Sequence, residues 1–243
     1  MAKEIKIDCG DCEKRVASCC KTCFVEEQNN IFKNLLDPEL DLLVDGKQQI
    51  DYYPGETIIK QNTSSTYVVC IKDGLAKVYV ESEKGKKLLV KLVQKGDFIT
   101  GGGLFNGNIQ RYTITAVTKT RCCLIDSSKL TKLFSENNQF AIDILRHNTK
   151  QNNLLLDKLI NHTHKYMPGR VADTLLYLRN EIYKSNPMKI DLSRQELANM
   201  SNMTKESFVR ILHEFKSSNV IKTQGSTIDI LNESSLESIS KNG

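Results

Sequence analysis

The chain has 243 residues, 34 Lys and Arg against 29 Asp and Glu, eight Cys and no Trp. That length holds one large domain or two ordinary ones, and a formal charge of +5 permits an anionic partner without requiring one. Apolar runs such as 67–71 and 122–125 fall far short of the roughly 18 residues a membrane span needs. No apolar signal-peptide region follows Met1, so a cytoplasmic protein with reduced thiols and no membrane partner is expected.

In chain order, residues 1–24 form a Cys-rich arm holding five of the eight cysteines, Cys9, Cys12, Cys19, Cys20 and Cys23. Ile31, Leu35, Leu36, Leu40 and Leu43 recur at helical spacing and predict a short helical lead-in. From 52 to 127 the pattern becomes short β-type runs at 57–60, 67–71, 76–81, 87–93, 112–117 and 121–125. Asp73-Gly74 reads as a hairpin turn between two of them, and Gly96 and Gly107 mark further turns. Such strands predict a sandwich or barrel. No Gly or Pro occurs from Ser135 to Lys165, so a long helix is expected there, stopped at Met167-Pro168-Gly169. Ala141, Ile144, Leu145, Leu155 and Leu159 fit a heptad seam that polar residues 148–153 interrupt; such a seam pairs two subunits tunably. The alternative is one amphipathic helix lying on the β domain.

The remainder is helical with a β tail. Val171, Leu175, Leu178 and Ile182 keep helical spacing, and Ser193 with Glu196 forms a capping box. A turn near 201–203 leads to a second N-cap, Thr204, and a helix to about 217. Runs at 220–223 and 227–231 flank Gly225-Ser226 as a wing, completing a winged helix-turn-helix layout. Residues 166–243 carry ten basic against nine acidic side chains, so DNA binding there must rest on placed residues rather than bulk charge.

On the second of these helices Glu206, Val209 and Arg210 share one face. Arg forks onto guanine, Glu accepts from cytosine N4 and Val touches a thymine methyl. Thr204, Lys205 and Ser207 at the helix start, with Arg194, suit phosphate contacts. The competing reading is a generic three-helix domain whose Glu206 and Arg210 merely pair as a salt bridge. Nothing in the chain matches H-E-x-x-H, G-x-S-x-G or a P-loop, and no enzyme is expected.

Leu192-Ser193-Arg194-Gln195-Glu196-Leu197-Ala198 and Thr204-Lys205-Glu206-Ser207-Phe208-Val209-Arg210-Ile211-Leu212 closely resemble the DNA-binding signature of the CRP/FNR regulators. Pro168-Gly169-Arg170-Val171-Ala172 resembles the segment after their dimerisation helix. Tyr53-Pro54-Gly55-Glu56, the run 67–74 and Gly96-Asp97-Phe98-Ile99 resemble their cyclic-nucleotide-binding-type β-roll. The resemblance implies an α+β chain: a Cys-rich arm (1–24), a β-roll or double-stranded β-helix (25–134), a dimerisation helix (135–166) and a winged helix-turn-helix domain (167–243). It implies a homodimeric transcription factor on palindromic double-stranded DNA, with RNA polymerase as a further partner. Where the cAMP-binding branch has a Glu for the ribose, this chain has Gly101, Gly102 and Gly103. Arg111 alone can hold a phosphate, so cAMP is not expected as the ligand.

The arm reads C-x2-C-x6-C-C-x2-C, and two ligands two residues apart can bite one metal centre, zinc or iron–sulfur. FNR-type oxygen sensors are similar, with C-x2-C-x5-C and a fourth cysteine in the roll holding a [4Fe–4S] cluster. The resemblance implies Cys9, Cys12, Cys19 and Cys123 as ligands and oxygen or nitric oxide as the signal. The longer second gap leaves Cys19, Cys20 and Cys23 as competing third ligands. Cys122 and Cys123 alternate on a strand. Cys123, sharing a face with Lys119 and Arg121 but also with Ile125, is expected to be the exposed thiol, while Cys70 and Cys122 are expected to be buried hydrophobes. His162 and His164 are expected at the surface. The alternatives are a zinc site from Cys9, Cys12, Cys20 and Cys23, or a metal-free arm with haem or a small molecule sensed in the roll.

Overall fold

The computed structural model describes residues 31–243 except 65, 101, 102, 105, 106 and 108, so the five arm cysteines lie outside the described residues. The described chain enters through Ile31, Phe32 and Leu35, all buried, and then helix α1 (Asp37–Val44). Pro38 suits its first turn, and the Glu39 carboxylate accepts a hydrogen bond from Leu36 N at 2.7 Å. Leu36, expected on the buried stripe, is exposed because it lies just outside the helix.

Eight strands follow: β1 (Gln48–Tyr52), β2 (Thr57–Ile59), β3 (Tyr67–Asp73), β4 (Leu75–Glu81), β5 (Lys87–Gln94), β6 (Phe98–Ile99), β7 (Thr113–Ala116) and β8 (Thr120–Asp126). They form two antiparallel four-stranded sheets, β1-β8-β3-β6 and β2-β7-β4-β5. Val69, Ile71, Val78, Ile99, Ile114 and Cys122 fill the layer between them. Asp73-Gly74 is not a hairpin turn. β3 and β4 belong to different sheets, and the chain crosses between them at Gly74. Its φ is +87°, and a Cβ would stand 2.2 Å from Lys119 O, so only glycine fits the crossing. The true hairpin of this region is β4–β5, turning through Gly85.

Helix α2 (Ser127–Glu136), absent from the expectation, is capped by Asp126, and Asn137 then caps α3 (Asn138–His164). The surroundings of helix α3 change along its length. Phe140 and Ile144 are buried on the roll, whereas Leu145, Leu154, Leu155, Leu156, Leu159 and Ile160 stand exposed. Ile144, expected on the seam, therefore belongs to the roll-facing side. The helix thus lies on the β domain, as one reading has it, while its later turns keep apolar side chains exposed.

The C-terminal unit contains α4 (Met167–Tyr177), a π-helical turn (Leu178–Tyr183), β9 (Met188–Lys189), α5 (Arg194–Met200), α6 (Lys205–Ser217), β10 (Ile221–Gln224), β11 (Thr227–Ile230) and α7 (Glu233–Asn242). β9 adds a third strand to the expected wing, in the order β10-β11-β9. Its core includes Leu175, Leu197, Phe208, Ile211 and Leu236, and Leu75, Leu89 and Leu92 of the roll join the same cluster. Apolar contact thus runs without a break from the β4–β5 hairpin into the helix-turn-helix.

Candidate nucleic-acid interface and thiol site

Local chemistry builds the helix-turn-helix. Ser193 Oγ accepts from Glu196 N at 3.2 Å, while the Glu196 carboxylate accepts from Ser193 N at 2.7 Å, a closed capping box on α5. The intervening turn needs a left-handed residue, supplied by Asn202 at φ +51°. Its position is fixed by a buried Thr174–Ser201 hydroxyl pair at 2.8 Å and by Arg170 Nη1 donating to Asn202 O at 2.9 Å. Thr204 Oγ1 then accepts from Ser207 N and caps α6.

Phe208, Ile211, Leu212 and Phe215 fasten α6 to this core. That leaves Thr204, Lys205, Glu206 and Arg210 exposed, with Ser207 and Val209 half-buried beside them. Arg210 Nη1 pairs with Glu214 Oε1 at 2.5 Å, one turn after Arg210, and not with Glu206 one turn before it as the competing reading has it. Both side chains are more than half exposed, so the pair is worth only a few tenths of a kcal/mol and is readily exchanged for a base edge. Arg194 Nη2 donates to Gly225 O at 3.1 Å, tying the start of α5 to the wing tip. The six other residues expected to contact DNA, Thr204 to Arg210, sit together in the first two turns of α6.

Glu196 has a second role that the sequence did not signal. It also receives Lys77 Nζ from β4, linking the first helix of the reading unit to the roll. Burial works to raise the Glu196 carboxyl, but bonds from Lys77 and Ser193 outweigh it and hold the group below its ordinary value. Gln94 Nε2 donates to Glu181 O at 2.9 Å across the same junction.

The other candidate site lies on the opposite side of the roll. Cys123 is 1% exposed, not the accessible thiol expected. Its face carries Ile125 as well as Arg121, and it is roofed by Ile31, Phe32, Leu35, Phe140 and Ile144. The strand alternation is as expected, with Cys122 pointing into the layer between the sheets, where burial pushes its thiol up to about 12. The covering of Cys123 by distant segments is what local sequence does not show. Cys70, also buried, is the direct cross-strand partner of Cys123 in the β3–β8 ladder.

Residues 31–36 are tied to α3 directly. Phe32 stacks on Phe140 at 6.1 Å and meets Phe98 edge-on at 5.2 Å, and Asn34 Nδ2 donates to Asp143 Oδ2 at 2.9 Å. Further along α3, His147 meets Phe98 edge-on, Lys91 Nζ donates to Gln151, and Lys158 Nζ donates to the carbonyls of Leu89 and Val90, each at 2.8 Å. Burial lowers Lys158 to about 8. His162 is half-buried rather than at the surface; burial first, then Lys158, lowers its pKa.

Comparison with known proteins gives two consistent findings. The profile of the cyclic nucleotide-binding domain matches residues 49–137, and that of the Crp-like helix-turn-helix domain matches residues 169–239. The cAMP-activated global transcriptional regulator CRP of Salmonella typhimurium is 26% identical over 197 residues, covering 79% of this chain and 93% of that protein. The CRP-like cAMP-activated regulator of Mycobacterium tuberculosis is 21% identical, covering 82% and 90%. Among solved structures, FixK2 from Bradyrhizobium japonicum superposes with a TM-score of 0.73 at 20% identity, covering 79% and 96%. A crp/fnr-family regulator from Eubacterium rectale superposes with a TM-score of 0.74 at 19% identity, covering 87% and 98%. These structural likenesses carry the fold.

Proposed function

Because the chain belongs to the CRP/FNR family of DNA-binding transcriptional regulators, we propose that it is a homodimeric regulator sensing oxygen or nitric oxide through a [4Fe–4S] cluster. The ligands of this reading are Cys9, Cys12, a third arm cysteine (Cys19 in the first instance) and Cys123. One observation carries it: Cys123 enters the same apolar layer as Ile31 and Phe32, the first described residues after the Cys-rich segment. The donor set fits the group, since iron–sulfur clusters take thiolates, and a bound cluster supplies a centre that oxidants dismantle. Cys122 faces away and is not part of the set. cAMP is not the ligand in this reading, because no carboxylate follows Gly96-Asp97-Phe98-Ile99 to hold a ribose.

The chain's own residues supply the coupling. Phe32 and Asn34, which follow the Cys-rich segment in the chain, fasten residues 31–36 to Phe140 and Asp143 on α3. Beyond its first turns α3 offers exposed Leu145, Leu155, Leu156, Leu159 and Ile160 to a second copy. Polar residues 148–153 keep that pairing marginal, so a change at the arm shifts the monomer–dimer balance. A dimer presents two α6 helices to half-sites one turn of DNA apart, roughly 34 Å, which calls for a palindromic operator. Arg210, Glu206 and Val209 read bases there, Thr204, Lys205, Ser207 and Arg194 hold phosphates, and RNA polymerase is the downstream partner.

Purification without oxygen, followed by iron and sulfide analysis and visible absorbance, tests the sensor. Iron and sulfide in equal amounts, lost on exposure to air together with operator binding, are expected. A chain that holds no iron, or binds nucleotide or haem in its place, overturns this sensor.

A further inference from the structure

The arginines of the C-terminal unit are all engaged inside the protein. Arg170 donates to Asn202 O at 2.9 Å, Arg179 pairs with Glu233, and Arg194 donates to Gly225 O at 3.1 Å. These three brace one element against another: the turn, the last helix and the wing. The pair of Arg210 with Glu214 at 2.5 Å lies within α6 itself, on its exposed side, and braces no second element. Glu214 stands one turn beyond Arg210, about 6 Å along the helix axis and about 40° round it. A carboxylate therefore sits at the rim of the face formed by Glu206, Val209 and Arg210, on the only arginine of that face. Residues 166–243 carry ten basic against nine acidic side chains, so one guanidinium held back from phosphates is a sizeable part of the unit's attraction for any duplex.

Every DNA sequence offers phosphate oxygens to Arg210, at every register. Only guanine offers O6 and N7 in the groove, matching the guanidinium fork. A carboxylate already on the guanidinium presents the same kind of charged oxygen as a phosphate. Displaced by a phosphate, it would be left beside a like charge. We propose that Glu214 is a specificity-determining residue, which withholds Arg210 from the phosphates of unrelated DNA and yields it to a guanine in register. This rests on the base-reading role of Arg210 given above and deepens it. Discrimination then comes from weakening the wrong complexes as well as from favouring the right one.

The test uses the full chain purified without oxygen, a duplex that it enriches from a random-sequence pool, and an unrelated duplex of equal length. Glu214→Gln keeps the size of the side chain and removes its charge; Glu214→Ala removes the acceptor altogether. Both are expected to tighten binding to the unrelated duplex about five-fold and to the enriched duplex by less than about two-fold, lowering the ratio of the two affinities. With Arg210→Ala already in place, neither is expected to change that ratio, because no guanidinium is left to withhold. A ratio equal to or above that of wild type overturns the proposal. So does a ratio lowered through weaker binding to the enriched duplex, which makes Glu214 a support for Arg210. A ratio that falls equally in the Arg210→Ala background traces the effect to the charge of Glu214 alone and overturns it too. A pool in which nothing is enriched, or an Arg210→Ala chain that loses equally on both duplexes, defeats the base-reading role itself and this proposal with it.

Discussion

The two candidate sites place their side chains in opposite surroundings. Arg210 and Glu206 stand in solvent on a helix whose other face is locked into a core, whereas Cys70 and Cys123 lie under aromatic and aliphatic side chains. A reading surface must meet a rigid, hydrated partner, so its residues can change without disturbing the domain beneath. A buried thiol pair has no such freedom: whatever reaches it must displace or accompany Phe32 and its neighbours, which are fastened to α3.

Substitutions can break or sharpen that contrast. Phe140→Ala, in the roof over the thiols, is expected to destabilise the chain by about 3–5 kcal/mol through lost burial and a cavity, measured by urea unfolding of the metal-free protein. A cost near that of a surface change would show the roof to be loose. Arg210→Ala should leave the unfolding midpoint unchanged yet weaken operator binding by about 1–3 kcal/mol in titrations, with little loss on random DNA. Equal loss on both sequences would reduce Arg210 to a phosphate contact.

Glu196 sits between the two regimes, capping α5 while pairing with Lys77 of the roll. Glu196→Ala is expected to cost about 1 kcal/mol in unfolding, more than Lys77→Ala, because only the first also removes the carboxylate that accepts from Ser193 N in the capping box. The smallest effect is the response to acid. Burial first, and then Lys91, lower the His147 pKa, opposed by a backbone bond at Phe98. The unfolded chain therefore binds this proton more readily. Its contribution to stability is intact above about 6.5 and is lost as pH falls from there towards the lower folded value. His147→Gln should flatten the unfolding midpoint over that interval; an unchanged profile removes His147 from the coupling face.

What proved legible differs between the regions for the same reason. The winged helix-turn-helix is specified by caps, turns and 3.6-residue spacing, all local, so Ser193, Glu196, Thr204 and the exposed face of α6 can be placed from the chain alone. The roll is held by pairs distant in sequence. Asp73-Gly74 carries the signature of a hairpin turn and yet crosses between sheets, because strand partners are chosen by burial of whole faces rather than by the turn. Strand alternation separates Cys122 from Cys123 without saying which side helices will cover. Periodicity, caps and motif spacing thus determined by themselves a β domain, a long helix, a winged helix-turn-helix with its reading helix, and a cysteine-rich segment, and the family resemblance implied a regulator. Only the tertiary structure decided that Cys123 is buried, that Cys70 stands beside it and that Glu196 answers to Lys77, since each depends on segments tens of residues apart meeting at one place.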